Sequence, residues 1–248
     1  LPYWDEGNFL SFYCKRPVAA NNAMWGFKTM ADVFSAETEA EASSLCLDYG
    51  IRYVYITTSR EMNDSSYAFW QHMKKLPRSA AYKLEYGIID YARKFDHWFY
   101  FWLRDKWALY SNGNFSAGSN FRLVYASKAK KAIMMPSHLI YEHVKGATLE
   151  MEVDPESSAE LSLAIKVENK TLLYKKIVSA DDKGRVAFHI PYSNSYKGGR
   201  ITTDPFYKLS SFRNGKKQLM KAVVDESAIV AGKVLGNSDL EVVTIQPE

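Results

Sequence analysis

The sequence predicts an α+β protein, with a mainly helical, mixed α/β core over residues 1–138 followed by a small β-sandwich or barrel over 139–248. Three observations carry that expectation. A helix–Gly–strand pattern occupies 35–57, an aromatic stripe at helical spacing lies between Tyr82 and Tyr110, and from Phe121 onward apolar residues alternate, which is the period of strands. The division falls where composition switches, near 135–145, and 240–248 reads as a looser tail.

Taken in order, Tyr3-Trp4-Asp5-Glu6-Gly7 sets two amphipathic rings and a carboxylate just before a glycine. A buried strand turning at Gly7 is one reading, and a surface that holds something small is another. Residues 9–20 alternate loosely up to Pro17, as a short strand or helical turn, and lead into a loop with Asn21, Asn22 and Gly26. Ser35 offers a helix N-cap, and Glu37, Glu39 and Glu41 fall in the first turns, where the helix dipole favours acids. That helix should run to Tyr49 and stop at Gly50, a residue suited to the left-handed conformation. Ile51–Thr57, rich in β-branched and aromatic residues, follows as a buried strand.

A second helix is expected from Ser65 to Met73, capped by Asp64 or Ser65 and ended by Pro77. Between Tyr82 and Tyr110, the rings of Tyr91, Phe95, Trp98 and Trp102 share one helical face, which predicts a helix packed into a core. Contact of some of these rings with lipid headgroups is the alternative. Residues 111–119 form a loop. Strands are then expected at Phe121–Tyr125, Leu139–Val144, Thr148–Val153, Glu160–Val167, Leu172–Val178, Val186–Ile190, Ile229–Val234 and Leu240–Ile245. Turn chemistry separates them at Asp181–Gly184, Lys197–Gly199 and Arg213–Gly215, the pattern of a sandwich or barrel.

Composition narrows the function classes. With 47% hydrophobic and 15% aromatic residues the chain can build a real core. Its net charge of +4 is small, and the run Lys128-Ala129-Lys130-Lys131 has no accompanying aromatic-basic stripe. It reads as a solvated segment, and no nucleic-acid partner is expected. No apolar run reaches the roughly 18 residues a membrane helix requires. Cys14 and Cys46 are too few for a disulfide framework, sit in apolar settings that suit buried thiols, and show no zinc-ligand spacing with histidine.

Several stretches, in order, resemble one family. Tyr3-Trp4-Asp5-Glu6-Gly7 is similar to the Trp-Trp-Asp-x-Gly motif that opens the soluble C-terminal domain of the oligosaccharyltransferase catalytic subunit. Arg16–Asn22, Glu37-Thr38-Glu39-Ala40 and Tyr49–Tyr55 follow as they do in that family. Phe121–Tyr125, Tyr141–Ala147, Ile190–Ser193 and Val224–Gly232 look like its archaeal AglB form, which is related to bacterial PglB. The resemblance implies a glycosyltransferase that moves an oligosaccharide from a lipid-linked donor to the Asn of Asn-x-Ser/Thr. It implies further that this chain is a fragment facing the extracytoplasmic side of the cell membrane, joined in the full-length enzyme to its own transmembrane domain. A divalent metal, Mn or Mg, would be held by that membrane portion, so the fragment itself would bind none, hold no catalytic residue and be inactive alone. On an oxidising side of the membrane a Cys14–Cys46 bridge stays open beside the free thiols.

The residues fit the implied role chemically. A carboxylate accepts a hydrogen bond from a hydroxyl while an indole N–H donates to the same oxygen, so Trp4 and Asp5 can saturate a Ser or Thr side chain. Such a site rejects a substrate without the hydroxyl, because its own polar groups would be left unpaired. Tyr3, Trp4 and Asp5 are therefore assigned to acceptor binding. Asp5 and Glu6 as an acid/base pair is disfavoured, since neighbours in an extended segment point to opposite sides. The family's second element, Asp-x-x-Lys-x-x-x-Met, departs here: anchored on Met73 only the Met remains, and anchored on Asp64 only the Asp does. Met73 is kept as a pocket wall, with a core role as its rival. Three strings, Asn63-Asp64-Ser65, Asn114-Phe115-Ser116 and Asn169-Lys170-Thr171, fall in predicted loops and would permit self-glycosylation. A divergent paralogue with altered acceptor selectivity, and a non-catalytic module that binds glycan or peptide through its strands, are the alternative functions.

Overall fold

A computed structural model describes residues 29, 32–34, 36–57, 115–116, 118–127, 138–167, 170–198 and 201–236. The chain divides into two compact units, one drawn from Leu1–Asp105 and Ala126–His143, the other from Lys106–Tyr125 and Val144–Glu248.

In the first unit a helical stretch at 32–34 precedes helix α1 (Glu39–Asp48). Its cap is Thr38, whose hydroxyl accepts from the Glu41 N–H at 3.1 Å, while the Glu41 carboxylate turns back to the Glu37 N–H at 2.8 Å. Thr38-x-x-Glu41 has the spacing of a capping box, which is why the helix starts there and not at Ser35. It ends at Tyr49, with Gly50 left-handed at φ +64°, as the sequence led one to expect. Strand β1 (Tyr53–Thr57) follows. It pairs antiparallel with a later strand of the unit, so that Tyr53 stands opposite Glu142 and Thr57 opposite His138.

The remaining strands are β2 (Phe115–Ser116), β3 (Phe121–Ala126), β4 (His138–His143, the partner of β1), β5 (Ala147–Glu152), β6 (Ser158–Val167), β7 (Lys170–Ser179), β8 (Arg185–Ile190), β9 (Lys197–Gly198), β10 (Ile201–Thr203), β11 (Tyr207–Arg213) and β12 (Lys216–Ala222). A short helix α2 (Glu226–Ala231) and strand β13 (Val234–Leu235) complete the described elements. In the second unit β6 and β7 form a ten-residue antiparallel ladder, and the other edge of β6 is shared by β11 and β10. With β12, β9 and β2 these make one seven-stranded sheet; β13, β5 and β8 make a smaller one.

Alternation decides which face is buried. Ala159, Leu161, Leu163, Ile165 and Val167 of β6 are all within 5% of full burial, and Leu172 and Tyr174 of β7, with Tyr207 and Leu209 of β11, lie on the same side. From the smaller sheet Ala147, Leu149 and Met151 are matched by Val186, Phe188 and Ile190.

The expected mainly helical core is overturned: among the described residues the chain is sheet-rich, with thirteen strands against two helices of ten and six residues. The helical expectation rested on Ser65–Met73 and on the aromatic stretch at 82–110, both of which lie outside the described residues, as does Leu240–Ile245. A second correction concerns Ile229–Val234, expected as a strand. Its first half is helix and only Val234 begins a strand, because Asp225 stands at the N-cap, Glu226 lies in the first turn and Gly232 closes the end at φ +73°. End signals outweighed the β preference of Ile229 and Val230. The strands expected at Phe121, Leu139, Thr148, Glu160, Leu172 and Val186 are all present, whereas the hairpin β11–β12 was located only by its turn, Asn214-Gly215, with both residues at positive φ.

Candidate functional site

Tyr3, Trp4, Asp5 and Met73 lie outside the described residues, as do Cys14, Arg16–Asn22, Lys128–Lys131 and the three sequon asparagines. What the structure brings together are the later stretches on which the family resemblance rests.

In the second unit three of them converge on one guanidinium. Arg122, on β3, is only 3% exposed, a burial that a cation tolerates only when paired. Its two terminal nitrogens donate to both carboxylate oxygens of Glu226, at 3.0 and 2.6 Å, and its plane lies 4.4 Å over the Tyr196 ring. The Ser193 hydroxyl donates to the same carboxylate at 2.5 Å. Beside it the Tyr192 hydroxyl accepts from the Leu123 N–H at 2.7 Å, and the Tyr207 hydroxyl donates to the Tyr192 carbonyl at 2.6 Å. Burial pushes the Tyr207 phenol well above its ordinary range, so it stays a neutral donor. Tyr174 packs edge-on against both Tyr192 and Tyr207. Strand β3, the segment after β8 and helix α2 are thereby locked to each other.

A second cluster surrounds Gly146, whose φ of +77° and whose neighbours leave no room for a side chain: an added Cβ would stand 2.7 Å from His189 Nε2 and 2.8 Å from the Ser119 carbonyl. Asn120 donates to the Lys145 carbonyl at 2.9 Å, His189 Nε2 lies 2.8 Å from that same oxygen, and Lys176 donates to the Ser119 hydroxyl and the His189 carbonyl. On the outer face of β5 and β8 an open groove of about 440 Å³ is lined by Glu150, Glu152, Asp181, Arg185, Ala187 and Gly236. Hydrogen bonds from the Arg185 backbone hold the Asp181 carboxyl below its usual range.

In the first unit Glu142, 5% exposed, accepts from Arg52 at 3.0 Å. His143 Nε2 lies 2.8 Å from the Ser43 hydroxyl of α1, and His138 Nδ1 lies 2.6 Å from the Tyr55 hydroxyl, with the two rings stacked. Burial pushes the Cys46 thiol up to about 12, and it is a free, buried cysteine in the apolar face of α1.

Among the described residues no three His, Cys, Asp or Glu side chains gather as a metal site. No helix of the described residues is long and apolar enough to cross a membrane. The Arg122 lock was missed from sequence although Arg122, Ser193 and Glu226 all stood in motif stretches; an arginine inside the apolar strand Phe121–Tyr125 was the available sign, since such a residue is buried only with a partner.

The fold and these stretches define a class: a sheet-rich domain of the kind found in larger proteins of glycosyl transfer, to which the chain is similar. The archaeal glycosylation protein B long peripheral domain matches residues 146–235. Dolichyl-phosphooligosaccharide-protein glycotransferase 1 of Archaeoglobus fulgidus is 32% identical over 66 residues, which is 27% of this chain and 11% of the relative. Two crystal or complex structures of the A. fulgidus oligosaccharyltransferase share the fold at 15% identity and a TM-score of 0.66, over 94% of this chain; one, with Zn and sulfate, is covered to 40%, and the other, AglB with an inhibitory peptide and a dolichol-phosphate, to 36%. The chain thus spans well under half the length of the proteins it matches. It is similar to the C-terminal globular part of archaeal AglB oligosaccharyltransferases.

Proposed function

We propose that this chain holds the acceptor peptide for an oligosaccharyltransferase whose remaining portion lies in the cell membrane, with this part on the extracytoplasmic side. The observation that carries the reading is the match of 146–235 to the long peripheral domain of that family. Tyr3, Trp4 and Asp5 take the Ser or Thr of Asn-x-Ser/Thr, the carboxylate accepting from its hydroxyl and the indole donating to it, and Met73 lines the pocket beside the Thr methyl. The donor is a lipid-linked oligosaccharide, supplied to a membrane-embedded centre where a divalent metal, Mn or Mg, stabilises developing charge when bound. The chain contributes selection and orientation, and alone it transfers nothing.

The test is transfer by the full-length protein from a lipid-linked donor to a fluorescent peptide. Asn-x-Thr should be glycosylated, Asn-x-Ala should fall by a factor on the order of 10² or more, and Asp5→Ala should fall similarly, as expected when a buried polar partner is lost. Transfer that is indifferent to both Asp5 and the Thr would sink the acceptor-binding role.

A further inference from the structure

One face of the large sheet in the second unit is open and carries mainly positive charge. Residues directly opposite in a sheet point to the same side, and the register puts Lys221, Lys208, Ser162 and Lys175 in one row across β12, β11, β6 and β7. A second row holds Lys166, Thr202 and Lys197 across β6, β10 and β9, and Lys217 stands at the far end opposite Phe212. The carboxylates at hand are few: Glu160 pairs with Lys175 at 2.7 Å, and Asp204 lies 3.9 Å from Lys166. Between the lysines stand Leu173, Ile177 and Phe212, exposed by 39%, 62% and 46%.

A further feature of this face is unfavourable in the chain by itself. Lys208 and Lys221 are directly opposed, an arrangement of like charges that costs stability in a sheet. Lys221 finds partial relief 4.4 Å above the Phe206 ring. Such a pair gains from an external anion.

We propose that this face docks on an anionic lipid surface, with the lysines against headgroup phosphates and Leu173, Ile177 and Phe212 at the acyl boundary. The charge is spread in two dimensions over several strands, as headgroup charge is, and the interleaved side chains are apolar, as an interfacial surface requires. A single nucleic-acid strand would call for arginines and a run of stacking aromatics along a track, whereas the cations of these rows are all lysines and Phe212 is the one exposed ring between them. The docking is separate from acceptor binding and does not depend on it.

The test is flotation of the 248-residue chain with vesicles of phosphatidylcholine alone or of phosphatidylcholine with phosphatidylglycerol, at low and high salt. Binding is expected to the anionic vesicles only, to weaken with salt, and to drop about five-fold for each face lysine neutralised. Lys221→Glu separates binding from folding, since it turns the Lys208 pair into an attractive one: the melting temperature should hold or rise while partition falls by more than that factor. Lys183→Glu, in the turn before β8 and off this face, should leave binding as it was. Equal partition onto neutral vesicles, a Lys221→Glu chain that floats like wild type, or an equal loss with Lys183→Glu would each overturn the proposal. So would a chain that ignores vesicles and binds an oligonucleotide.

Discussion

Each unit holds an Arg–Glu pair, and the two are opposites. In the second unit the cation is buried and the carboxylate half open, with side chains 4% and 46% exposed for Arg122 and Glu226. In the first the carboxylate is buried and the cation open, 6% for Glu142 and 71% for Arg52. Geometry follows the difference. Arg122 uses two nitrogens on two oxygens and adds a ring beneath it at 4.4 Å, whereas Arg52 places two nitrogens on a single oxygen and lies 5.2 Å over Tyr53. A buried guanidinium has many donors to satisfy and must be met by a fixed fork, whereas a buried carboxylate can be met on one oxygen by a single exposed arm. The first arrangement locks elements together, and the second neutralises a charge.

The comparison breaks if the two pairs respond alike to loss of a partner. Glu226→Ala leaves a buried guanidinium without its counter-charge and strands the Ser193 hydroxyl, so denaturant unfolding should show a loss of about 3–5 kcal/mol. Adding Arg122→Met, which removes the orphaned charge, should restore at least half of it. A Glu226→Ala loss below about 1 kcal/mol, the level of an exposed pair, would mean that Arg122 is not held as described.

How far this was legible in the sequence differs between the strands and the lock. Strands such as Thr148–Val153 and Glu160–Val167 declare themselves by alternation, because one face is buried and the other is wet. The Arg122 lock joins residues 69 and 104 positions apart, and no local pattern reports a pairing of that separation; only the oddity of an arginine in an apolar strand hints at it. Helix α2 shows the opposite case, where local cap residues were present at Asp225 and Gly232 but the β-branched pair Ile229-Val230 drew the reading to a strand. Of the proposed acceptor site, Tyr3, Trp4, Asp5 and Met73 rest on motif order and on hydrogen-bond chemistry, which is why transfer kinetics are the measurement that bears on them.

Arg52→Ala sharpens the contrast at smaller scale. Glu142 would lose its ion pair but lies where the Arg52 side chain already reaches water, so solvent can take over the freed oxygen. The expected loss is about 1–3 kcal/mol, below that of Glu226→Ala. A chain in which Arg52→Ala proves the more damaging of the two would reverse the ranking and make the first unit's pair the one that locks.

The smallest expected effect is one of pH, and it too falls on the first unit. Burial holds the His143 imidazole below its ordinary 6.5, and a hydrogen bond to the Ile51 backbone only partly opposes that. The neutral ring is matched to its setting, with Nε2 free to accept from Ser43 at 2.8 Å. Because the folded pKa is the lower one, the unfolded chain binds the proton more readily, so stability is full above 6.5 and is lost as pH falls through 6.5 toward the folded value. Thermal melts from pH 8 to pH 5 should therefore decline more steeply for wild type than for His143→Gln, whose amide cannot titrate. The Arg122 lock, where a guanidinium keeps its charge throughout this range, should add nothing to that slope: a Glu226→Ala chain is expected to melt lower at every pH but to retain the same dependence. Equal slopes for wild type and His143→Gln would remove His143 as the titrating group and leave the contrast between the two units one of charge burial alone.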